Sequence, residues 1–148
     1  MISGDTNLFV YAHDNRDLAK QSTARQLIGA MSAQRTAVGL QVIGEVQNAL
    51  RRRLRTPAQE AYRIASDLLE AFETFAYDER AVAVALEEAA GGQLSYWDAL
   101  LLAAAAAAGV RIMLSEDMAD GFLFRDVEVV NPFGPSGASR RARHLLAL

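Results

Sequence analysis

The sequence predicts an α/β fold of three layers, α/β/α, with a short central parallel sheet flanked by helices. Two observations carry this. Short apolar runs of strand length, such as Val110 to Leu114 and Val127 to Val130, alternate with longer stretches whose apolar residues recur every three or four positions. The short runs are apolar along nearly their whole length rather than at every second residue, as expected for strands covered on both faces. The composition permits such a core, with 51% hydrophobic and 22% charged residues in a chain of 148, about one domain.

Each element follows in order. Met1 to Asp5 reads as a buried strand ending at a polar turn, and Leu8 to Tyr11 as a short helical turn that His13-Asp14-Asn15 breaks. Residues 17 to 34 are rich in helix formers, with Leu18, Ala24, Leu27, Ile28 and Met31 on one face. After a short β-branched piece at Thr36 to Val38, Leu40 to Leu54 forms a helix that turns Ile43, Val46, Leu50 and Leu54 inward. Thr56-Pro57 resembles an N-cap followed by proline at the first helical position, opening a helix with Tyr62, Ala65, Leu68, Leu69 and Phe72 inward. Thr74 to Tyr77 is a strand and Asp78 to Ala90 a helix that Gly91-Gly92 stops. Ser95-Tyr96-Trp97-Asp98 has capping-box spacing and opens a helix ending at Gly109. Residues 1–133 are expected to form the domain, and 134–148, with Arg140, Arg141, Arg143 and His144, a flexible tail.

Composition excludes several classes of chemistry. Without cysteine there is no disulfide framework, thiolate zinc site or cysteine nucleophile. A net charge of −3 gives no global basic footprint for nucleic acid. The opening lacks a basic segment before an apolar one, and the apolar run Ala99 to Val110 is shorter than the ~20 residues of a spanning helix. A cytoplasmic protein with no membrane contact is therefore expected.

The informative residues are acidic. Asp5, Glu45, Asp98 and Asp117 each follow a strand or lie in the opening turns of a helix, the positions that converge beyond the strand ends of a parallel sheet. Ordinary structural roles exist for each: turn or N-cap for Asp5, capping for Asp98, solvated helix surface for Glu45 and an acidic loop for Asp117 beside Glu116 and Asp120. Together, carboxylates repel unless they bind a cation or hold protons, and Mg²⁺ or Mn²⁺ is the natural oxygen-ligated partner.

Five motifs in order resemble a PIN domain of the VapC toxin type over residues 1 to 133. They are Asp5-Thr6-Asn7 followed by Leu8 to Ala12, Gln41 to Val46 around Glu45, Ser95 to Ala99 around Asp98, Leu114 to Met118 around Asp117, and Val129 to Phe133. Ser3-Gly4 departs from the apolar residues that precede the first aspartate in that family, so the first strand is expected to be short or frayed. The resemblance implies a metal-dependent endoribonuclease in which Asp5, Glu45, Asp98 and Asp117 hold Mg²⁺ or Mn²⁺ directly or through waters. Ser115, Thr6 and Asn7 would orient the acids. It also implies an RNA substrate, a VapB-like antitoxin partner and a homodimer through the helical hairpin of residues 40 to 72. Arg51, Arg52, Arg53 and Arg55 form the basic cluster available to RNA or partner, although cations also suit a helix C-terminus.

Competing phosphotransfer folds fail on the residues. A receiver domain needs a late lysine, and the only lysine is Lys20; there is no GxxxxGK[ST] loop, and position 7 is Asn where a haloacid-dehalogenase-type phosphatase has a second Asp. No nucleophile elbow is present, and His13 and His144 fall in a turn and the tail. The alternative of a different class is a PIN-fold RNA- or protein-binding module without significant nuclease activity.

Overall fold

A computed structural model describes residues 1–148. Its main sheet holds β1 (Ile2–Gly4), β4 (Ile112–Leu114), β6 (Val127–Val130) and β5 (Leu123–Phe124) in the order β1-β4-β6-β5. β1, β4 and β6 run parallel, and β5 is an antiparallel edge to β6. β2 (Ala37–Gly39) pairs in parallel with β3 (Glu73–Phe75), and a parallel bridge from Thr36 to Ile2 sets this pair beside β1. β1 is short but paired throughout, with Ser3 opposite Met113 and Gly4 opposite Leu114. Small residues are needed there: a Cβ on Gly4 would lie 2.8 Å from Leu8 and 3.3 Å from Phe9 of the helix folded back on the strand.

That helix is α1 (Thr6–Tyr11), followed by α2 (Leu18–Ser32), α3 (Leu40–Arg52), α4 (Ala58–Ala71), α5 (Glu79–Gly91) and α6 (Tyr96–Ala107). Caps match local chemistry: Asp17, Asp78 and Ser95 each accept a backbone N–H of the helix they precede, and Gly92 ends α5 with φ +77°. The sheet between these helices leaves 38 buried apolar residues in one core, in which Phe9 and Phe72 meet edge to face at 6.1 Å. From Ala99 to Ala105 helix α6 is apolar on every side, and all of these residues are buried. No helix is long and apolar enough to cross a membrane.

Some expected faces are corrected. Leu18, Tyr62 and Leu69 are exposed, while α4 buries Ala61 and Ile64 instead, so its inward stripe is 61, 64, 68 and 72. Thr56 does not cap α4, whose N-cap position is Pro57 with no side-chain bond. The segment after β6 carries structure of its own. It forms a hairpin of β7 (Phe133–Gly134) and β8 (Gly137–Ala138), then α7 (Arg140–Leu146) capped by Ser139 and packed on α2. Two apolar residues among four basic ones anchor it, since Ala142 and Leu146 are both buried. Leu146→Ala should lower the unfolding free energy by about 2 kcal/mol in urea titration. A detached tail would leave it unchanged.

Candidate active site

Parallel pairing brings the first acid and its partner together. The Asp5 N–H donates to Leu114 O (3.0 Å) and the Ser115 N–H to Val130 O (3.0 Å), so both residues extend the ladder by one step at adjacent strand ends. The crossovers from β1 lead to β2 on one side while β4 lies on the other, which makes this the crevice where chain order reverses. Beyond it, α3 starts directly after β2 and carries Glu45 in its second turn, and α6 carries Asp98 in its first. Asp117 lies in the loop after β4. Asp5, Glu45, Asp98 and Asp117 line one cavity of about 210 Å³ with Thr6, Asn7, Gln41, Trp97 and Leu101.

Each acid is held by an uncharged donor. Ser115 Oγ donates to Asp5 Oδ2 (2.5 Å) and accepts the N–H groups of Asp117 (3.2 Å) and Met118 (3.3 Å), tying the Asp117 loop to the first acid. Asp5 Oδ1 also accepts the Leu8 N–H (3.2 Å), capping α1, so its structural and site roles coexist. Thr6 Oγ1 donates to Glu45 Oε2 (2.5 Å), Asn7 Nδ2 to Asp117 Oδ2, and Ser95 Oγ to Asp98 Oδ2 (2.8 Å). Gln41, which the sequence reading passed over, donates to Glu45 Oε1 (3.0 Å) and to the Trp97 carbonyl (3.2 Å). Its i, i+4 spacing from Glu45 was the available signal.

Of the basic cluster, only Arg53 reaches this network, donating to Asn7 Oδ1 (2.7 Å). Arg51 closes its own helix end on Thr56 O (2.7 Å), while Arg52 and Arg55 are exposed. Lys20 lies outside the cavity, bonded to both Glu116 oxygens (2.7 and 2.8 Å). His13 and His144 do not line it.

Asp5 carries the electrostatic load. Burial pushes its carboxyl up to about 7, against the Ser115 and Leu8 hydrogen bonds, and the charges of Asp117 and Asp98 push the same way. No three acidic or imidazole side chains are gathered tightly enough to form a ready cluster round one ion. The donor set is nevertheless all oxygen, which suits an ion that retains waters and takes only one or two carboxylates directly. At the cavity wall Gln41 Oε1 is a further oxygen, buried and without a partner.

The pH dependence follows from Asp5. Its proton is held to about pH 7 in the folded chain and released near 3.8 in the unfolded one. Between these values the folded state binds the extra proton, so stability falls as pH rises from 3.8 to about 7 and levels off above. In metal-free buffer Asp5→Asn should unfold at higher urea than the parent at pH 8 and lose that advantage by pH 4. Equal midpoints at pH 8 would mean that Asp5 ionises without penalty.

Among solved structures the fold is similar to VapC20 of Mycobacterium tuberculosis, a toxin that cleaves the sarcin–ricin loop, at 20% identity and TM-score 0.63 over 86% of this chain and 99% of that one. A toxin–antitoxin complex from Klebsiella pneumoniae aligns at 19% identity and TM-score 0.62, over 90% and 98% of the two chains. FitAcB from Neisseria gonorrhoeae aligns at 16% identity and TM-score 0.65, over 89% and 98%. No curated protein matches the chain. The PIN domain model matches residues 4–127, from the end of β1 to the start of β6 and so across all four acids, and the chain belongs to the PIN domain family.

Proposed function

We propose that this protein is a metal-dependent endoribonuclease and the toxin of a VapBC-type toxin–antitoxin pair. The observation that carries the reading is the cavity itself: four carboxylates from four separate elements face one space, with the innermost buried and no cation among the groups that set its protonation. Such an arrangement is costly for a fold that has no use for it. Membership of the PIN family and the likeness to toxin structures support the same reading.

Asp5, Glu45, Asp98 and Asp117 would hold Mg²⁺ or Mn²⁺, in part through waters. When bound, the ion supplies charge neutralisation on the phosphate and acidifies the attacking water. The chain's own groups do the positioning. Ser115 fixes Asp5 and the start of the Asp117 loop, Thr6 and Gln41 fix Glu45 from two sides, Asn7 fixes Asp117, and Ser95 fixes Asp98. Arg53, held at the rim by Asn7, is the cation nearest an incoming phosphate backbone. A VapB-like antitoxin is the partner that would keep this site silent. A homodimer would use the α3–α4 hairpin, where Tyr62 and Leu69 stand exposed on α4.

The test is cleavage of an end-labelled structured RNA by the purified chain with Mg²⁺ or Mn²⁺, beside EDTA and Asp98→Asn controls. Cleavage should require the ion and fall by at least about a hundredfold in Asp98→Asn. Equal activity of Asp98→Asn and parent would refute the assignment. Metal-independent RNA binding without cleavage would turn the reading to a PIN-fold binding module.

A further inference from the structure

The mouth of the acidic cavity opens onto a second space that the carboxylates do not occupy. A shallow groove of about 400 Å³ is lined by Gln41, Gly44, Glu45, Asn48 and Trp97, and it shares Gln41, Glu45 and Trp97 with the acidic cavity. Trp97 is the only tryptophan of the chain, and it is 58% exposed. An exposed indole offers a broad flat π-face on which an unpaired base can stack. Tyr96 meets the Trp97 ring edge to face at 5.0 Å with the rings at 76°. Gly44 contributes no side chain to the lining, and a Cβ built on it meets nothing within 4 Å.

We propose that this groove is a nucleobase subsite, in which a base next to the scissile phosphate stacks on the Trp97 indole and presents its edge to Asn48. The proposal rests on the nuclease reading given above. Chemistry selects the occupant. Apart from Glu45 the groove is neutral, so the uncharged part of a polynucleotide fits there while its phosphate lies at the acids. Stacking on an exposed aromatic is the common way that proteins hold unpaired bases. Along α3, Gln41, Glu45, Asn48 and Arg52 recur at spacings of three and four, so a strand leaving the acids along this face meets a stacking platform, an amide and then a cation. A base stacked on Trp97 must be out of any helix, so the substrate class is RNA with an unpaired nucleotide at the cleavage position.

A single tryptophan makes the site directly observable. Asp5→Asn protein in Mg²⁺ is titrated with hexaadenylate, hexauridylate and an abasic hexanucleotide of the same phosphate count, with Trp97 emission and RNA anisotropy followed together. The expected result is saturable quenching by the two base-bearing chains, stronger for adenylate, and none by the abasic chain. Trp97→Ala should weaken hexaadenylate binding about tenfold. Gly44→Leu, which fills the groove and replaces a helical glycine by a better helix former, should do the same while melting no lower than its parent. Quenching by the abasic chain, hexaadenylate binding without quenching, or parental affinity in both variants would overturn the subsite. So would quenching that follows protein concentration without RNA, which would place a second copy on Trp97. Metal-dependent cleavage with no Trp97 response rejects the subsite and leaves the nuclease standing; a base-specific response without cleavage does the reverse.

Discussion

Mutual repulsion of the carboxylates at the sheet's crevice is the constraint around which this molecule is arranged. The fold forces the meeting. Asp5 and Ser115 are the first residues past two adjacent parallel strands, and two helices start close enough to add Glu45 and Asp98 to the same space. Four negative charges without a cation would spread apart or take up protons. The second tendency adds to burial at Asp5, whose carboxyl is pushed up to about 7 chiefly by desolvation and in the same direction by the charges of Asp117 and Asp98. The acids are positioned by a set of uncharged donors, Ser115, Thr6, Asn7, Ser95 and Gln41, each bonded to a carboxylate. Uncharged donors leave the negative charge in place, whereas an arginine in the cavity would cancel it.

The donors have a further property in common, which is that most are already committed elsewhere. Ser115 also accepts two N–H groups of the loop behind it, Ser95 caps α6, and Asn7 takes Arg53 on its other side. Moving any one acid therefore disturbs backbone as well as side chain. This links the position of the charge to the stability of the elements that carry it. The backbone N–H groups of Asp5 and Ser115 continue the ladder one step past the strands, so both site residues sit in its register.

How much of this the sequence discloses depends on the kind of information each feature needs. The strands, most helices and the four acids are legible because periodicity, caps and the position of an acid after an apolar run are local. The inward face of α4 is not, because Tyr62 and Leu69 are apolar and fit a helical stripe as well as Ala61 and Ile64 do; tertiary packing decides between them. Strand β5, two residues long, carries no pattern of its own and exists because β6 offers an edge. The order of residues 134–148 escapes for a related reason. Charge dominates their composition, and the two anchors, Ala142 and Leu146, count only once α2 is known to lie beneath them. Gln41 shows only half of its role locally, in its i, i+4 spacing to Glu45; its second bond, to the Trp97 carbonyl, crosses to α6.

The C-terminal segment bears on the site as well as on the core. Phe133, which begins the terminal hairpin, meets Tyr11 of α1 edge to face at 5.6 Å. Lys20 Nζ lies 4.3 Å from the Tyr11 ring centre and 5.2 Å from that of Phe133 while bonding both oxygens of Glu116. Glu116 immediately precedes Asp117. A half-buried ion pair between two aromatic faces is better shielded from solvent than one at the open surface, and so holds more of its Coulomb attraction. The one lysine of the chain thus fixes the back of the loop whose front is fixed by Ser115 and Asn7. The acid farthest along the sequence, on the least regular element and the most exposed of the four, is held from three sides for that reason.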